Sequence, residues 1–282
     1  MIALRPRSLD EAVRHLEGDP GLVPVAGCTD LMVRGPEALS RMDRMVDLLG
    51  IPELRGIREV DGGLGGLEIG AATTFSEIRS SAAVRAAFPS LVEAAAQVGG
   101  WQIQNRATLG GNMANASPAG DSLPVLLALD AVVVVAGRQG EREIPYSGFH
   151  TGYRKTALEP GEIIVRVRLP FLPEGSVQAF RKVGTREAQA ISKVVVALAG
   201  RVADGRIAEL RLAAGSVAPT PVRLRATEEA VQGLPSGAEA ADRAGRAAAQ
   251  EVQPIDDVRS TADYRRFALE RVVRRMMLGL ER

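Results

Sequence analysis

The sequence predicts a mixed protein of strands and helices in two domains. Three observations lead there. Strand-like and helix-like segments alternate as far as Pro170; Pro170, Pro173 and Gly175 then interrupt the pattern. Beyond them an apolar meander leads into a stretch rich in Ala and Arg with helical spacing. The 282 residues suffice for two compact domains, and a chain of this size buries a large core without staples.

Taken in order, residues 22–26 read as a short buried strand that ends at Gly27, and residues 43–48 and 67–72 as further strands. Gly62-Gly63-Leu64-Gly65-Gly66 is the richest glycine cluster. Glu68 stands where a dinucleotide fingerprint needs its last glycine, so a hairpin turn is the better reading. Residues 90–98 are Ala-rich and helical. Trp101, beside Gly99-Gly100, reads as a core tryptophan, with stacking on an adenine as the other reading. Residues 122–129 predict a helix, and the β-branched run 132–135 a strand. After the boundary, residues 178–183, 194–203 and 206–214 form an antiparallel meander, with Asp204-Gly205 as a tight hairpin. Helical spacing resumes at Arg223, broken at Pro235 and Pro254. The last helix, 261–280, sets Tyr264, Phe267, Ala268, Val272 and Met276 on one face, which is expected to pack on the meander.

Composition excludes several functions. The net charge of +1 and 4% aromatic content leave no footprint for nucleic acid. Cys28 is the single cysteine, so the chain forms no internal disulfide and cannot ligate an iron–sulfur cluster. His15 and His150 are the only histidines, and no metal site is expected. The first residues lack the apolar core of a signal peptide and no apolar run reaches spanning length; a cytoplasmic chain without membrane insertion is expected.

Two glycine loops follow short apolar segments: Val25-Ala26-Gly27-Cys28-Thr29-Asp30 and Thr108-Leu109-Gly110-Gly111-Asn112. Each presents backbone amides without bulky side chains and adds a hydroxyl. Such loops can cradle a pyrophosphate with no lysine or arginine needed for the bulk of the contact. A turn that merely requires positive φ would look the same. From Asn105 to Asp121 the chain is dense in small and amide residues, which suits close approach of backbone to a large polar ligand. Asp121 has two readings: an N-cap for the following helix, or a carboxylate accepting from ribityl or ribose hydroxyls.

These segments, with residues 151–156 and 180–186, closely resemble the FAD-binding medium subunit of molybdenum hydroxylases, the group of carbon monoxide dehydrogenase and bacterial xanthine dehydrogenase. The resemblance runs nearly end to end. It implies an α+β fold: a two-lobed FAD-binding domain of the vanillyl-alcohol oxidase-like type over 1–172, then a small domain of a three-stranded antiparallel sheet plus helices over 176–282. By motif, Val25 to Leu31 and Thr108 to Asn112 would bind the pyrophosphate of a non-covalent FAD. Asp121 would contact the flavin's polar chain, Ile164 would pack at the cofactor, and Lys182 would lie near the isoalloxazine, where its charge favours the reduced ring. Its other reading is a surface lysine on an edge strand.

The resemblance further implies an electron carrier with no catalytic residue of its own. Electrons would come from a molybdopterin-binding large subunit through a small subunit with two [2Fe-2S] clusters, and leave to an external acceptor. Residues 152–156 look most like xanthine dehydrogenase relatives, pointing to a purine or another N-heterocycle as the complex's substrate. Two departures stand out. Cys28 occupies a position where the family commonly has glycine, and Ala188-Gln189-Ala190-Ile191 replaces the acidic and aromatic residues that some relatives place beside the flavin. The rival expectations are a free-standing flavin oxidase or reductase, and a structural subunit that has lost FAD.

Overall fold

The computed structural model describes residues 2–35, 37, 42–62 and 65–280. The chain opens with β1 (Ile2–Leu4), α1 (Leu9–Gly18), β2 (Val23–Val25), α2 (Thr29–Val33) and β3 (Arg44–Asp47). The strands pair in parallel in the order β1-β3-β2, so consecutive strands need crossovers, and α1 supplies the first. Ser8 caps α1 by accepting from the Glu11 amide. Ala12, Val13 and Leu16 then pack with Leu22 and Val46. The strand expected over 22–26 forms, and its end delivers the first glycine loop directly into α2.

Next come β4 (Ile57–Val60) and β5 (Gly66–Gly70), antiparallel with Val60 opposite Gly66, as a hairpin requires. Gly63 and Leu64 of the predicted turn lie outside the described residues. A helical stretch follows: α3 (Phe75–Ser80), α4 (Ala82–Ala87), α5 (Pro89–Ala96), α6 (Trp101–Gln104), α7 (Leu109–Asn115) and α8 (Leu123–Ala128). Its starts are written locally. Thr74 and Glu77 form a capping box, Ser81 caps α4, Pro89 opens α5 and Thr108 caps α7. Then come β6 (Val132–Gly137), β7 (Gly140–Pro145), the short pair β8 (His150–Gly152) and β9 (Lys155–Thr156), and β10 (Ile163–Pro170). The second sheet is antiparallel, in the order β4-β5-β10-β6-β7. Leu67, Ile69, Val133, Val135, Val167 and Leu169 face Phe75, Phe88, Leu91 and Leu109 in one core. Each such fully buried side chain contributes about 1.5–3 kcal/mol. On the other face, buried Glu68 is held by Arg58, Arg166 and Arg168, the condition under which a buried carboxylate is tolerated.

The third sheet contains β11 (Val177–Val183), β12 (Val194–Ala203), β13 (Arg206–Gly215) and β14 (Val222–Arg223), followed by α9 (Arg225–Val231), α10 (Ala238–Glu251) and α11 (Ala262–Met277). The predicted meander is present, closed by Asp204 and Gly205 at φ 50° and 71°. It is not three-stranded. β14 adds a two-residue edge beside Ala213 and Ala214, kept short because Pro219 and Pro221 just upstream have no amide hydrogen to donate. This sheet is covered on both faces. Val195, Ala197 and Ala199 join the core under α5 and α8, while Val194, Val196 and Leu198 pack on α10 and α11.

Two expectations about aromatic residues fail. Helix α11 buries Arg265, Ala268, Leu269, Val273, Met276 and Met277, while Tyr264 and Phe267 are exposed, with Lys193 and Arg271 over their rings. Arg265 takes the inward place because it bonds the carbonyls of Lys193 and Ser216 and the carboxylate of Asp257. Trp101 is no core residue. It is 69% exposed, with the Arg79 guanidinium 4.5 Å above its ring.

Candidate functional site

The first loop is a backbone turn with its amides unspent. Cys28 adopts φ 61° and ψ 6° as it enters α2, and no side chain caps that helix. Among the described residues, the amides of Gly27, Cys28, Thr29, Asp30 and Leu31 donate to no group of the chain. Unsatisfied donors at one turn are a ready seat for an anion. Burial pushes the Cys28 thiol up, aided by Asp47 and opposed by Arg106, so a reactive thiolate is disfavoured. Val25 is buried at the end of β2 and fixes where the loop begins.

The second loop is different. Leu109 donates to the Thr73 carbonyl at 3.1 Å and Gly110 to the Ala71 carbonyl at 2.8 Å. Gly111 donates to Thr108 Oγ1 at 3.1 Å and Asn112 to the Thr108 carbonyl at 3.0 Å. The start of α7 is therefore satisfied internally. Gly110 is buried, and a Cβ there would meet Ala71 at 2.6 Å, so its smallness serves packing against the end of β5. Gly111 is exposed and remains the bare surface of this loop. Ile164 is buried in the main core on β10; its neighbour Val165 accepts from Ala71, the residue that receives Gly110.

The first loop touches the segments that flank the second. Gly27 lies against the backbone of Arg106 and Ala107, and Asn115 at the end of α7 donates to Asp30 Oδ2 at 2.6 Å. Arg154, in the turn between β8 and β9, donates to Asn115 Oδ1 at 2.9 Å. Asn115 and Arg154 escaped the sequence reading. Their only signal was an amide within a run of small residues and a basic residue in a matched motif.

Asp121 and Lys182 also come together. On β11, Gln178, Phe180 and Lys182 face the helices of the preceding part, while Val177, Ala179 and Val183 alternate with them to pack on the other core. Lys182 Nζ lies 2.7 Å from Asp121 Oδ2 and 3.0 Å from the Gln97 carbonyl, and its side chain is 3% exposed. It is not a surface lysine. Asp121 is not an N-cap either: Ser122 precedes α8 and no side chain caps it. Burial raises the Asp121 carboxyl from 3.8 to about 6 against the pull of Lys182. Its Oδ1 is buried with no hydrogen-bond partner. Ser122 donates to Asn112 Oδ1 at 2.8 Å, tying this corner to the second loop. Part of the small-residue tract before Asp121 has another use, since Pro118 and Ala119 accept from Ser216 and Ser192 of the third-sheet unit.

A family profile described as the FAD binding domain in molybdopterin dehydrogenase matches residues 2–172, and one described as the CO dehydrogenase flavoprotein C-terminal domain matches residues 178–280. The chain belongs to the FAD-binding subunits of the molybdenum hydroxylases. It is 32% identical to the xanthine dehydrogenase FAD-binding subunit of Escherichia coli O157:H7, over 97% of this chain and 93% of that one. The carbon monoxide dehydrogenase medium chain of Hydrogenophaga pseudoflava is also 32% identical, over 96% and 94%. Among solved structures, carbon monoxide dehydrogenase from H. pseudoflava superposes with a TM-score of 0.91 at 32% identity, covering 98% of this chain and 96% of that one. Quinoline 2-oxidoreductase from Pseudomonas putida 86 gives 0.91 at 26%, covering 99% and 95%.

As a member of this family the chain is an oxidoreductase subunit, with FAD as its cofactor. Its residues fit that group: free amides gather at the first loop, and an orphaned carboxylate oxygen waits at Asp121. Arg106 and Arg154 flank the first loop and add positive charge beside it. No helix among the described residues is long and apolar enough to cross a membrane.

Proposed function

We propose that this chain is the FAD-carrying electron-transfer subunit of a molybdenum hydroxylase, receiving electrons from iron–sulfur clusters of a partner and releasing them to an external acceptor. One observation supports the reading: within a chain of this family, unpartnered polar groups occur at two of the segments that the motifs assign to FAD. Gly27 to Leu31 hold five free amides, and Asp121 a free carboxylate oxygen.

Bound FAD supplies a ring that takes up and gives out electrons. The chain's own residues bind and orient it. The amides of Gly27, Cys28, Thr29, Asp30 and Leu31 receive the pyrophosphate, with Val25 and Ala26 fixing the loop. Gly111 offers an unobstructed surface, while Thr108, Leu109, Gly110 and Asn112 hold the helix behind it in place. Asp121 accepts from hydroxyls of the flavin's polar chain, Ile164 contributes apolar packing, and Lys182 brings positive charge toward the ring. Binding is non-covalent. A two-lobed FAD-binding domain of the vanillyl-alcohol oxidase-like type over 1–172 and a second domain over 176–282 complete the proposed organisation.

The partners in this reading are a molybdopterin-binding large subunit and a small subunit with two [2Fe-2S] clusters, in a cytoplasmic complex acting on a purine or another N-heterocycle. Cys28 as sole cysteine requires the clusters to lie elsewhere. The purified chain, loaded with FAD, should oxidise no hypoxanthine, xanthine or aldehyde with any acceptor, and should support such oxidation once assembled with both partners. A substrate-dependent rate from the molybdenum-free chain would sink the carrier reading.

A further inference from the structure

Lys182 and Asp121 are the most buried ion pair among the described residues, with side chains 3% and 9% exposed. The groups around the carboxylate are otherwise neutral. Ser122 and Asn112 bond each other on the side of α7 and α8, and Gln97 at the end of α5 offers its carbonyl to Lys182. Lys182, reaching across from β11, is the one charge among the described residues that acts on Asp121. A lysine beside a flavin favours the negatively charged reduced ring. Here that charge is cancelled 2.7 Å away.

We propose that Asp121 sets the working charge of Lys182, so that the reduction potential of the bound flavin follows the protonation of Asp121 rather than the lysine alone. The inference rests on the reading that places FAD beside these two residues. When the carboxylate is ionised, the pair is neutral and the ring gains little. Once it is protonated, Lys182 stands uncompensated and stabilises the reduced ring. Two electrons from the reductant and one proton from solvent enter the ring and leave it with one negative charge. A second proton from solvent goes to the Asp121 carboxylate, freeing Lys182 as counter-ion. Oδ1 is the oxygen that takes this proton, because no donor of the chain bonds it.

Burial already lifts the Asp121 carboxyl to about 6, and a negative ring would lift it further. Between those two values, reduction takes up two protons instead of one, so the midpoint potential falls about twice as steeply with pH. Potentiometric titration of the FAD-loaded full chain with dithionite and mediator dyes, from about pH 5 to about pH 9, reads this directly. The wild type should show a limb about twice as steep, with a shallower slope on its acid side. Asp121→Asn should show one shallow slope and a higher midpoint at the alkaline end, and Asp121→Asn with Lys182→Met should lose that rise. A midpoint in Asp121→Asn at or below the wild type overturns the proposal, as does a rise that survives removal of the lysine. If Asp121→Asn releases its FAD, the wild-type profile alone decides, and a constant slope across the range overturns the proposal. A wild-type chain that takes up no FAD overturns the parent reading and this one together, which is a separate and recognisable result.

Discussion

A Cβ atom at residue 27 would lie 1.9 Å from the carbonyl oxygen of Arg106, so the backbone of the first glycine loop rests on the backbone that leads into the second. Two loops distant in sequence thus become one surface. Gly27 is required by that contact, whatever the ligand.

Gly27→Ala should therefore both unfold more easily and load less FAD. No flexible side chain can give way there, because Arg106 presents backbone, and overpacking of this kind costs about 1–3 kcal/mol or more. Gly18→Ala, with nothing near its added methyl group, is the matched control. A Gly27→Ala chain with the control's urea midpoint would show that the loops are not in contact.

Gly110 and Gly111 are alike in sequence and unlike in the fold. A methyl group on Gly110 meets the backbone and Cβ of Ala71 at 2.6–3.0 Å, whereas one on Gly111 meets the Thr108 hydroxyl at 2.8 Å, a side-chain atom whose shift strains the cap of α7 but no backbone. Gly110→Ala should lower the melting temperature, at a cost of about 1–3 kcal/mol. Gly111→Ala should keep the fold and lose flavin. Measuring melting temperature and flavin content on both variants separates the packing glycine from the ligand-facing one, and a reversed pattern would refute the assignment.

Cys28 occupies a left-handed conformation that a side chain adopts at a cost of about 1–2 kcal/mol. Cys28→Gly removes that cost but gains unfolded-chain entropy, so its stability should stay within about 1 kcal/mol of the wild type with FAD retained. Cys28→Val, branched at Cβ, should be clearly less stable. Equal denaturant midpoints for the valine and glycine variants would argue against the left-handed turn.

Asp121 gives the FAD-free chain an unusual pH dependence. A carboxyl raised from 3.8 to about 6 binds its proton more tightly in the folded state. The stability this adds is complete below about pH 4 and lost as pH rises through about 6, on the order of 2–3 kcal/mol. Asp257 works in the opposite window: held at about 2 by hydrogen bonds from Arg259 and Ser260 and by Arg265, it loses its contribution as pH falls below about 4. Urea midpoints at about pH 4 and about pH 7 should therefore diverge less in Asp121→Asn than in the wild type. Identical differences would remove Asp121 from the ledger of groups that titrate on folding.

Local signals carried much of the fold. Strand β2, the meander and the Asp204-Gly205 hairpin were readable because apolar runs and turn residues act over a few positions. Helices α3 and α4 were passed over although Thr74, Glu77 and Ser81 wrote their caps plainly. The face of α11 was misjudged because helical spacing admits more than one stripe, and only the partners of Arg265 reveal which one is buried. Trp101 looked like core by residue type and is exposed. In the site, the glycine loops were visible as patterns, but their division of labour was not: the groups that satisfy Gly110 and crowd Gly27 are Ala71 and Arg106, fixed by topology. The Asp121–Lys182 pair spans 61 positions, beyond any local pattern.

FAD uptake by the full chain is the most direct measurement. After incubation with excess FAD and gel filtration, the wild type should carry one flavin per chain, all of it released into the supernatant by acid precipitation. A colourless chain would contradict the flavin-subunit reading, and flavin left on the precipitated protein would contradict non-covalent binding by the two loops.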